Sequence, residues 1–500
     1  MTSYTSLTVG RLARPLLPAL LAVAVASCAS SGGLQPQARL LQDAQLHSEK
    51  TLASNDLPAA GFPAADWWTA LGDAQLNALI AEALASHPSL DAADARLRQA
   101  RARVGGARAD QLPELSVSGG YTGLRLPESM VGDELGGHYG GSGQVAFNFS
   151  YGFDLWGGKR AAWEAAVDSA HAAEVDAQAA RLTLSAAVAQ AYAELGHGWE
   201  MLDVAEQELE RSQASLRLIR QRRAAGIDSD LQVRTAEARV PAAQQQQQAA
   251  EQQIDAARTA LAALLGQGPD RGLSIHRPQP LNALALQLPG VLPSELLGRR
   301  PDIVAARWRV EAANRQIAVA KAKFYPSLNL TALAGVVAPN VGDLLQSSSS
   351  FAYIGPALSL PIFEGGRLRA NLDGADAQYD LAVANYNQAV LQALREVADQ
   401  VNAVRSLQQQ VQSQQQAVQT AAAAFDLASQ RRRAGIGNYL DVLSAQSSLL
   451  QAQQRLVGLR SQQVSSSIRL NQALGGGYLP GTESPSGGST AAVPTETPHS

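Results

Sequence analysis

The sequence has one cysteine, few aromatic residues and no long apolar run after Ala26. With Cys28 alone, no disulfide can form within the chain. Aromatic residues make up only 5% of the chain, which is sparse for the bulky core of a large enzyme. No later segment reaches the roughly 20 apolar residues of a spanning helix. If the mature chain crosses a membrane, we therefore expect it to do so as a closed β-barrel.

Patterns for catalysis, metal binding and nucleic-acid binding are also missing. The seven histidines are scattered, and there is no His-Glu-x-x-His motif, phosphate loop or nucleophile elbow. A net charge of −4 leaves no basic stripe for nucleic acid. We expect a protein that is not an enzyme, with no catalytic residue, no metal, no cofactor and no nucleic-acid partner.

The N-terminus has the layout of a signal peptide. Two arginines precede an apolar stretch from Leu16 to Ala26, which is too short to span a membrane as a helix. The stretch leads into Val25-Ala26-Ser27-Cys28, which resembles a bacterial lipobox. Residues 1–27 are therefore predicted to be removed and Cys28 to be acylated. Alanine follows the cysteine, so by analogy with lipoprotein sorting the signal for retention in the inner membrane is absent.

The chain repeats itself with a period of about 210 residues, which is longer than the roughly 20–50 residues of solenoid repeats. The first copy contains Arg222-Arg223-Ala224-Ala225-Gly226-Ile227, and the second contains Arg432-Arg433-Ala434-Gly435-Ile436. The first also contains Trp156-Gly157-Gly158-Lys159, which returns as Glu364-Gly365-Gly366-Arg367. We predict a duplicated domain around a pseudo-twofold axis, with repeats at residues 67–289 and 290–475.

Each repeat is predicted to end in a very long helical hairpin. From Gly158 to about Ala225 no proline interrupts the helical pattern, which at 1.5 Å per residue gives about 100 Å of helix. The predicted hairpins span residues 158–265 and 367–474. A lipid-anchored linker at 28–66 precedes the repeats, and a Gly-, Ser-, Pro- and Thr-rich tail at 476–500 is predicted to be disordered.

A strand pair precedes each hairpin, at residues 115–155 and 328–362. In Val145–Leu155, apolar side chains alternate with small or polar ones over a length that suits a membrane-crossing strand. A strand of a soluble sandwich is the alternative. The glycine-rich segment 123–143 is predicted to be the loop of the first pair. The face expected to contact lipid carries Phe147, Phe149, Tyr151 and Phe153.

Four strands are too few to close a barrel, since about eight are the smallest number that encloses a packed interior. Their edges would be unsatisfied in lipid. The chain must then share a barrel with copies of itself, and three copies supply twelve strands. The same symmetry sets twelve long helical arms side by side around a polar lumen.

Specific motifs occur throughout residues 67–477. They include Leu292-Pro293-Ser294-Glu295-Leu296-Leu297, Arg299-Arg300-Pro301-Asp302-Ile303, Ala320-Lys321-Ala322-Lys323-Phe324-Tyr325-Pro326-Ser327-Leu328, Leu360-Pro361-Ile362-Phe363-Glu364-Gly365-Gly366 and Tyr439-Leu440-Asp441-Val442-Leu443. Through these motifs the chain resembles the TolC-like outer-membrane factors, especially the lipid-anchored NodT/OprM-type subset.

This resemblance implies a mainly α-helical membrane protein: a homotrimeric channel-tunnel with a twelve-stranded outer-membrane β-barrel continued by a periplasmic α-helical barrel. Such a tunnel passively conducts drugs or metabolites from an inner-membrane RND-type pump through a periplasmic adaptor, the membrane fusion protein. The outer-membrane duct of a type I protein secretion system has the same fold and is the alternative. In both cases the chain would lie in the outer membrane, lipid-anchored and extending into the periplasm.

The resemblance also implies roles for the hairpin ends. In the family these tips dock the adaptor and form the periplasmic aperture. Lipid-anchored relatives are expected to have an aspartate at the aperture where this sequence has Ser429, so the sequence departs from that pattern. The other aperture candidates are Asp426, Arg432 and Arg433, whose alternative role is that of a solvated helix end favoured by the helix dipole. The docking tips fall on Gly226, Ile227, Gly435 and Ile436.

Overall fold

The computed structural model describes residues 33–41, 62–132, 136–283 and 298–479. The predicted signal peptide, Cys28 and the tail beyond Leu479 lie outside these residues. The described chain divides into two compact units. The first lies within residues 33–41, 92–132, 136–177 and 305–390, and the second within residues 62–91, 178–283, 298–304 and 391–479. Each unit therefore contains parts of both predicted repeats.

Long helices account for most of the described chain. They are α1 (Ala74–Ser86), α2 (Pro88–Ala109), α3 (Gly158–Ala224), α4 (Asp230–Leu264), α5 (Pro301–Ala322), α6 (Arg367–Arg433) and α7 (Tyr439–Ala473). Single helical turns lie at Trp67–Leu71, Glu128–Val131, Asp270–Leu273, Val341–Leu345 and Ser347–Ser349.

The two longest helices, α3 and α6, have 67 residues each, which corresponds to about 100 Å. Their return arms, α4 and α7, have 35 residues each. The first hairpin runs from Gly158 to Leu264 and the second from Arg367 to Ala473, so each begins at the predicted residue and ends one residue before the predicted end. None of the helices in the described part of the chain combines the length and the apolar character that a membrane crossing requires.

Four antiparallel strands form one sheet in the order β1-β2-β3-β4. They are β1 (Glu114–Arg125), β2 (Tyr139–Phe153), β3 (Ser327–Ala338) and β4 (Ser350–Ser359). Strand β2 therefore joins the pair from the first repeat to the pair from the second, and β1 and β4 form the two edges of the sheet.

The strands depart from prediction at their ends. The segment 123–143 is not all loop, because ladder pairing continues through its glycines as far as Arg125 opposite Tyr139. Strand β2 ends at Phe153, short of the predicted end at Leu155, because Asp154 leaves the ladder to cap helix α3. Strand β4 ends at Ser359, soon before Pro361, which has no N–H to donate to a ladder.

The core of the second unit forms around helix α1. Asp73 begins this helix by accepting a hydrogen bond from the backbone N–H of Gln75 at 2.8 Å. The other carboxylate oxygen of Asp73 accepts from the Tyr192 hydroxyl at 2.8 Å, and this partner satisfies a buried polar group. The apolar face of α1, which carries Leu76 and Ile80, packs with Leu195 of α3 and with Ile254 and Leu261 of α4.

The last described residues belong to the fold, although the sequence places them in the tail. The Tyr478 side chain is buried. A Cβ on Gly477 would lie 2.3 Å from the Ala64 carbonyl oxygen, so the two backbones pack too closely for a side chain at that position. Residues 476–479 are therefore part of the second unit.

Candidate functional site

The first hairpin tip lies between α3 and α4 and is built on Gly226. This glycine has φ of 74°, in the left-handed region that L side chains rarely adopt. Its N–H donates to the Arg223 carbonyl at 3.0 Å, and the N–H of Ile227 donates to the Arg222 carbonyl at 2.9 Å. These two bonds form the Schellman motif that ends a helix. Ser229 then starts α4 with a capping box.

The second tip, between α6 and α7, repeats this geometry. Gly435 has φ of 80°, and its N–H donates to the Arg432 carbonyl at 3.2 Å. The N–H of Ile436 donates to the Arg431 carbonyl at 3.1 Å. Asn438 takes the place of Ser229 and accepts from the next helix through its side chain. The two predicted tips are thus the same turn, produced by the same short sequence.

Both tips expose an isoleucine. Ile227 is 61% exposed and Ile436 is 73% exposed. A Schellman motif usually buries this apolar residue against the third residue from the helix end, but here that residue is an arginine in both tips. The predicted docking residues therefore present apolar surface beside a glycine that has no Cβ. Such a surface allows another helix to approach closely.

A buried carboxylate joins the two hairpins just behind the tips. The Asp228 side chain is only 2% exposed. It accepts a hydrogen bond from Arg222 Nε at 3.1 Å and one from Arg432 Nη2 at 2.6 Å. The Arg432 guanidinium also lies over the ring of Tyr439 in α7. The C-terminal ends of α3 and α6 both carry arginines, and the single carboxylate of Asp228 therefore holds the two ends together.

The sequence did not assign this role to Asp228, because its two arginine partners lie 6 and 204 residues away along the chain. The sequence of the turn shows that Asp228 lies next to the tip. Only the packing of the second hairpin on the first brings Arg432 to its carboxylate. The repeat supplies one usable signal. Asp228 occupies the position that Gly437 occupies in the second tip, so the two copies differ there.

The remaining aperture candidates lie nearby without such links. Asp426 and Arg433 are exposed, and Ser429 is half-buried. Among the described residues, neither Arg432 nor Arg433 forms an ion pair with Asp426, whereas Arg432 pairs with Asp228. The structure thus pairs Arg432 with Asp228, which was not among the aperture candidates.

A second, exposed pair lies on the first tip. Arg223 Nε donates to Asp230 at 2.7 Å. This hydrogen bond and the charge of the guanidinium lower the pKa of Asp230 from its ordinary value, and the same contact raises the pKa of Arg223. Both groups are open to solvent, so the pair is well screened.

Next to the tips, α3 and α7 pack against each other and keep the two hairpins in register. An apolar layer is formed by Ile219 and Ala236 of the first hairpin and by Tyr439 and Leu443 of the second. Farther along, the buried carboxylate of Glu208 accepts a hydrogen bond from Gln446 at 2.7 Å. Arg211 of α3, which pairs with Glu208, also donates to Gln453 of α7 at 3.3 Å, so a shift of one helix along the other would break two hydrogen bonds between the hairpins.

In the first unit, the strand register separates the sheet into two faces. Directly paired residues share a face, so the apolar residues of β2 extend across all four strands. The predicted lipid-facing residues Phe147, Phe149, Tyr151 and Phe153 are opposed on β3 by Ala334, Ala332, Leu330 and Leu328. The other face is richer in small and polar residues. On this face the Asn148 side chain of β2 donates a hydrogen bond to the Ser118 hydroxyl of β1 at 2.9 Å.

Among the described residues, no group of three or more His, Cys, Asp and Glu side chains could hold a metal ion. The chemistry of the two regions is that of a two-faced sheet and of a pair of linked helical tips.

The family description "outer membrane efflux protein" matches residues 79–267 and 292–476, which is well over half of the chain. The chain belongs to this family. It is thus an outer-membrane efflux channel protein and not an enzyme. The family resemblance predicted from the sequence motifs is confirmed.

Relatives of known role agree with this assignment. The chain is 40% identical over 374 residues to the fusaric acid resistance protein FusA of Burkholderia cepacia, covering 72% of this chain and 69% of that protein. It is 32% identical to the multidrug resistance outer membrane protein MdtP of Escherichia coli K12, covering 87% of this chain and 92% of MdtP. It is 34% identical to the pyoverdine export outer membrane protein OpmQ of Pseudomonas aeruginosa, covering 82% and 87%.

Solved structures show the same fold. The outer membrane protein VceC of Vibrio cholerae is 39% identical, with a TM-score of 0.77 that covers 83% of this chain and all of VceC. The outer-membrane channel OprN is 28% identical, with a TM-score of 0.79 that covers 89% of this chain and 99% of OprN. The TolC-like channel fold and the outer-membrane location follow.

Proposed function

We propose that this chain is the outer-membrane duct of a tripartite efflux system, working as a homotrimer with a periplasmic adaptor and an inner-membrane RND-type pump. It conducts small organic molecules passively to the exterior. The observation that carries the proposal is the two-faced sheet joined through long helices to a pair of exposed tips. Resistance and export in the names of FusA, MdtP and OpmQ support a small-molecule cargo.

The sheet supports a shared barrel. In the described chain its edges are β1 and β4, and a membrane-spanning sheet with open edges leaves backbone groups unsatisfied in lipid. Three chains joined edge to edge would close twelve strands, with the apolar face outward and the polar face lining the lumen. The two repeats of each chain would then contribute two strands apiece.

The placement of the two faces has a direct test. An arginine in place of Phe149 puts a charge on the apolar face and should cost about 2–4 kcal/mol near the bilayer midplane. Its neighbour Ser150 points to the other face, so Ser150→Arg is the matched control and should be mild. Folding into bilayers, followed by denaturant titration, measures both. Equal destabilisation by the two substitutions would contradict the assignment of the faces.

The N-terminal address supports a second attachment to the membrane. We propose that Cys28 is the acylated N-terminus of the mature protein, because the only cysteine follows directly on the apolar stretch. Acyl chains each contribute about 0.8 kcal/mol per buried methylene, so several together hold a protein firmly. Mass spectrometry of membrane-extracted protein should find cleavage before Cys28 with lipid attached. An unmodified cysteine, or another cleavage site, would contradict the anchor.

The tips support docking and gating. The exposed Gly226-Ile227 and Gly435-Ile436 surfaces suit the adaptor, and the Asp228 bridge behind them suits a restraint on the aperture. Asp426, Ser429 and Arg433, which lie in the last turns of α6, are proposed to contribute to the aperture in the trimer.

The function as a whole is tested by deleting the gene in its own host and measuring small-molecule accumulation. Deletion should raise accumulation and drug sensitivity, and the full-length chain should restore export. Purified trimers should also form ion-conducting channels in planar bilayers. If the deletion strain instead fails to secrete a protein and exports small molecules normally, the efflux assignment is wrong.

A further inference from the structure

The junction between the sheet and helix α3 places an ammonium group on the polar face of the sheet. Lys159 lies in the first turn of α3, and its Nζ donates to the carbonyl oxygen of Gly152 in β2 at 2.9 Å. A Cβ built on Gly152 would lie 3.0 Å from this Nζ and 2.7 Å from Asn329 Oδ1. Gly152 and Asn329 are directly paired, and their face is opposite to that of Phe153. The ammonium therefore lies over Gly152, on the face that carries polar side chains.

The stability of α3 does not explain this lysine. The first turn of α3 contains no acidic residue, and a cation at a helix N-terminus opposes the helix dipole. The N-terminal N–H groups are satisfied by Asp154, whose carboxylate accepts from the backbone N–H of Lys159 at 3.1 Å and of Arg160 at 2.8 Å. A charge that works against its own helix indicates another use.

Some of the other charged groups at this junction have partners of their own. A cleft of about 640 Å³ is lined by Lys159 together with other charged residues. Arg367, the counterpart of Lys159 in the second repeat, pairs with Glu364 at 2.6 Å. The carboxylate of Asp154 is bound by the helix end. Lys323 and Asp110 are both exposed. The lining carries three acidic and three basic residues in all, but Lys159 has no ion-pair partner among the described residues, and the Gly152 carbonyl holds its ammonium over the polar face of the sheet.

We infer that Lys159 is a selectivity-determining residue of the duct, which favours the passage of anionic solutes such as carboxylates at the base of the sheet. The inference rests on the proposed function, in which the polar face lines the lumen and three chains supply three such ammonium groups. A fixed positive charge at the wall of a channel raises the local concentration of anions and repels cations. The second repeat does not contribute equally, because Arg367 is already paired.

Ion selectivity of purified trimers in planar bilayers tests this inference. The reversal potential under a KCl gradient gives the ratio of chloride to potassium permeability. Lys159→Gln should lower that ratio about two- to fivefold, which is the scale of one unit charge acting through water on a passing ion. Lys159→Arg should retain the wild-type ratio. The same variants are measured in an Asp228→Ala background, so that a closed aperture does not mask the change.

Two matched substitutions complete the design. Arg160→Gln removes the next cation on the helix, which pairs with Glu164 on the helix surface, and should leave the ratio unchanged. Asn329→Asp adds a carboxylate over Gly152 and should lower the ratio even if Lys159→Gln fails to assemble. An unshifted ratio in both Lys159→Gln and Asn329→Asp, or an equal shift in Arg160→Gln, overturns the role of Lys159. If the wild-type trimer forms no channel at all, the proposed duct fails instead.

Discussion

The two hairpin tips have the same backbone but different chemistry behind it. Both end a long helix with a positive-φ glycine and an exposed isoleucine. The next residue is Asp228 in the first tip and Gly437 in the second. Asp228 reaches Arg432 of the other hairpin, whereas a Cβ on Gly437 would lie 2.9 Å from the backbone nitrogen of Arg432. The first tip therefore carries a carboxylate that binds the other hairpin, and the second tip has no side chain at the corresponding position.

This difference explains how a single carboxylate can serve both tips. Two identical acidic turns would place two carboxylates together, and two copies of the glycine turn would leave the arginines of α3 and α6 to repel each other. One aspartate between Arg222 and Arg432 satisfies both helix ends. The shared geometry suits a partner that binds both tips in the same way. The Asp228 bridge, which only the first tip supplies, suits a restraint between the two hairpins.

The largest effect is expected from bulky substitutions at the shared glycines. Gly435→Trp and Gly226→Trp should each reduce export about tenfold or more, the scale of a lost interface hot spot, because the side chain fills the docking surface. Cells that express each variant are assayed for drug efflux, with trimer insertion checked separately. Gly435→Ala introduces the strain at positive φ with little bulk and is the control. Full export by either tryptophan variant would contradict docking at that tip.

Removal of the aspartate should have the next largest effect and should be confined to the tips. Asp228→Ala leaves two guanidinium groups facing each other without a counter-charge, which should cost about 3 kcal/mol. Hydrogen exchange at residues 222–232 and 430–440 measures the opening free energy of the tips directly. Protection equal to that of the wild type at both tips would show that the bridge does not hold them together.

Substitutions of two neighbouring arginines distinguish the effect of the Asp228 bridge from that of positive charge in general. Arg432→Ala leaves Asp228 with Arg222 alone and should lower tip stability by about 1–3 kcal/mol. Arg433→Ala is the matched control, because Arg433 is exposed, and the change should stay within about 0.5 kcal/mol. The same exchange experiment compares them. Equal effects of the two substitutions would mean that positive charge, and not the bridge, sets tip stability.

The exposed pair on the first tip should contribute least. Arg223 lowers the pKa of Asp230, so the pair adds stability above the unfolded value of 3.8 and loses it as pH falls through the lower folded pKa. Asp230→Asn should leave tip exchange at pH 7 almost unchanged, since exposed pairs are worth little. Any difference between variant and wild type should shrink further below pH 3.8. A difference that grows on acidification would have the wrong sign.

The sequence predicted the parts of this fold that depend on local signals. Helix α6 could be delimited because no proline interrupts it and a glycine turn ends it, and β2 could be recognised from its alternation. The register of β4 could not be predicted, because it depends on pairing with another strand; in the structure Pro356 lies opposite Leu330. The same holds for the Asp228–Arg432 bridge, which depends on how two hairpins pack and not on either turn.

The central claim is that Asp228 of the first tip restrains the second tip and thereby the aperture. Single-channel conductance in planar bilayers tests it most directly, with Asp228→Ala measured beside Asp426→Ala in otherwise wild-type trimers. The account predicts a higher conductance for Asp228→Ala and a smaller increase for Asp426→Ala, whose carboxylate forms no bridge between the hairpins within the described chain. Wild-type conductance in Asp228→Ala, with an open channel in Asp426→Ala, would contradict it.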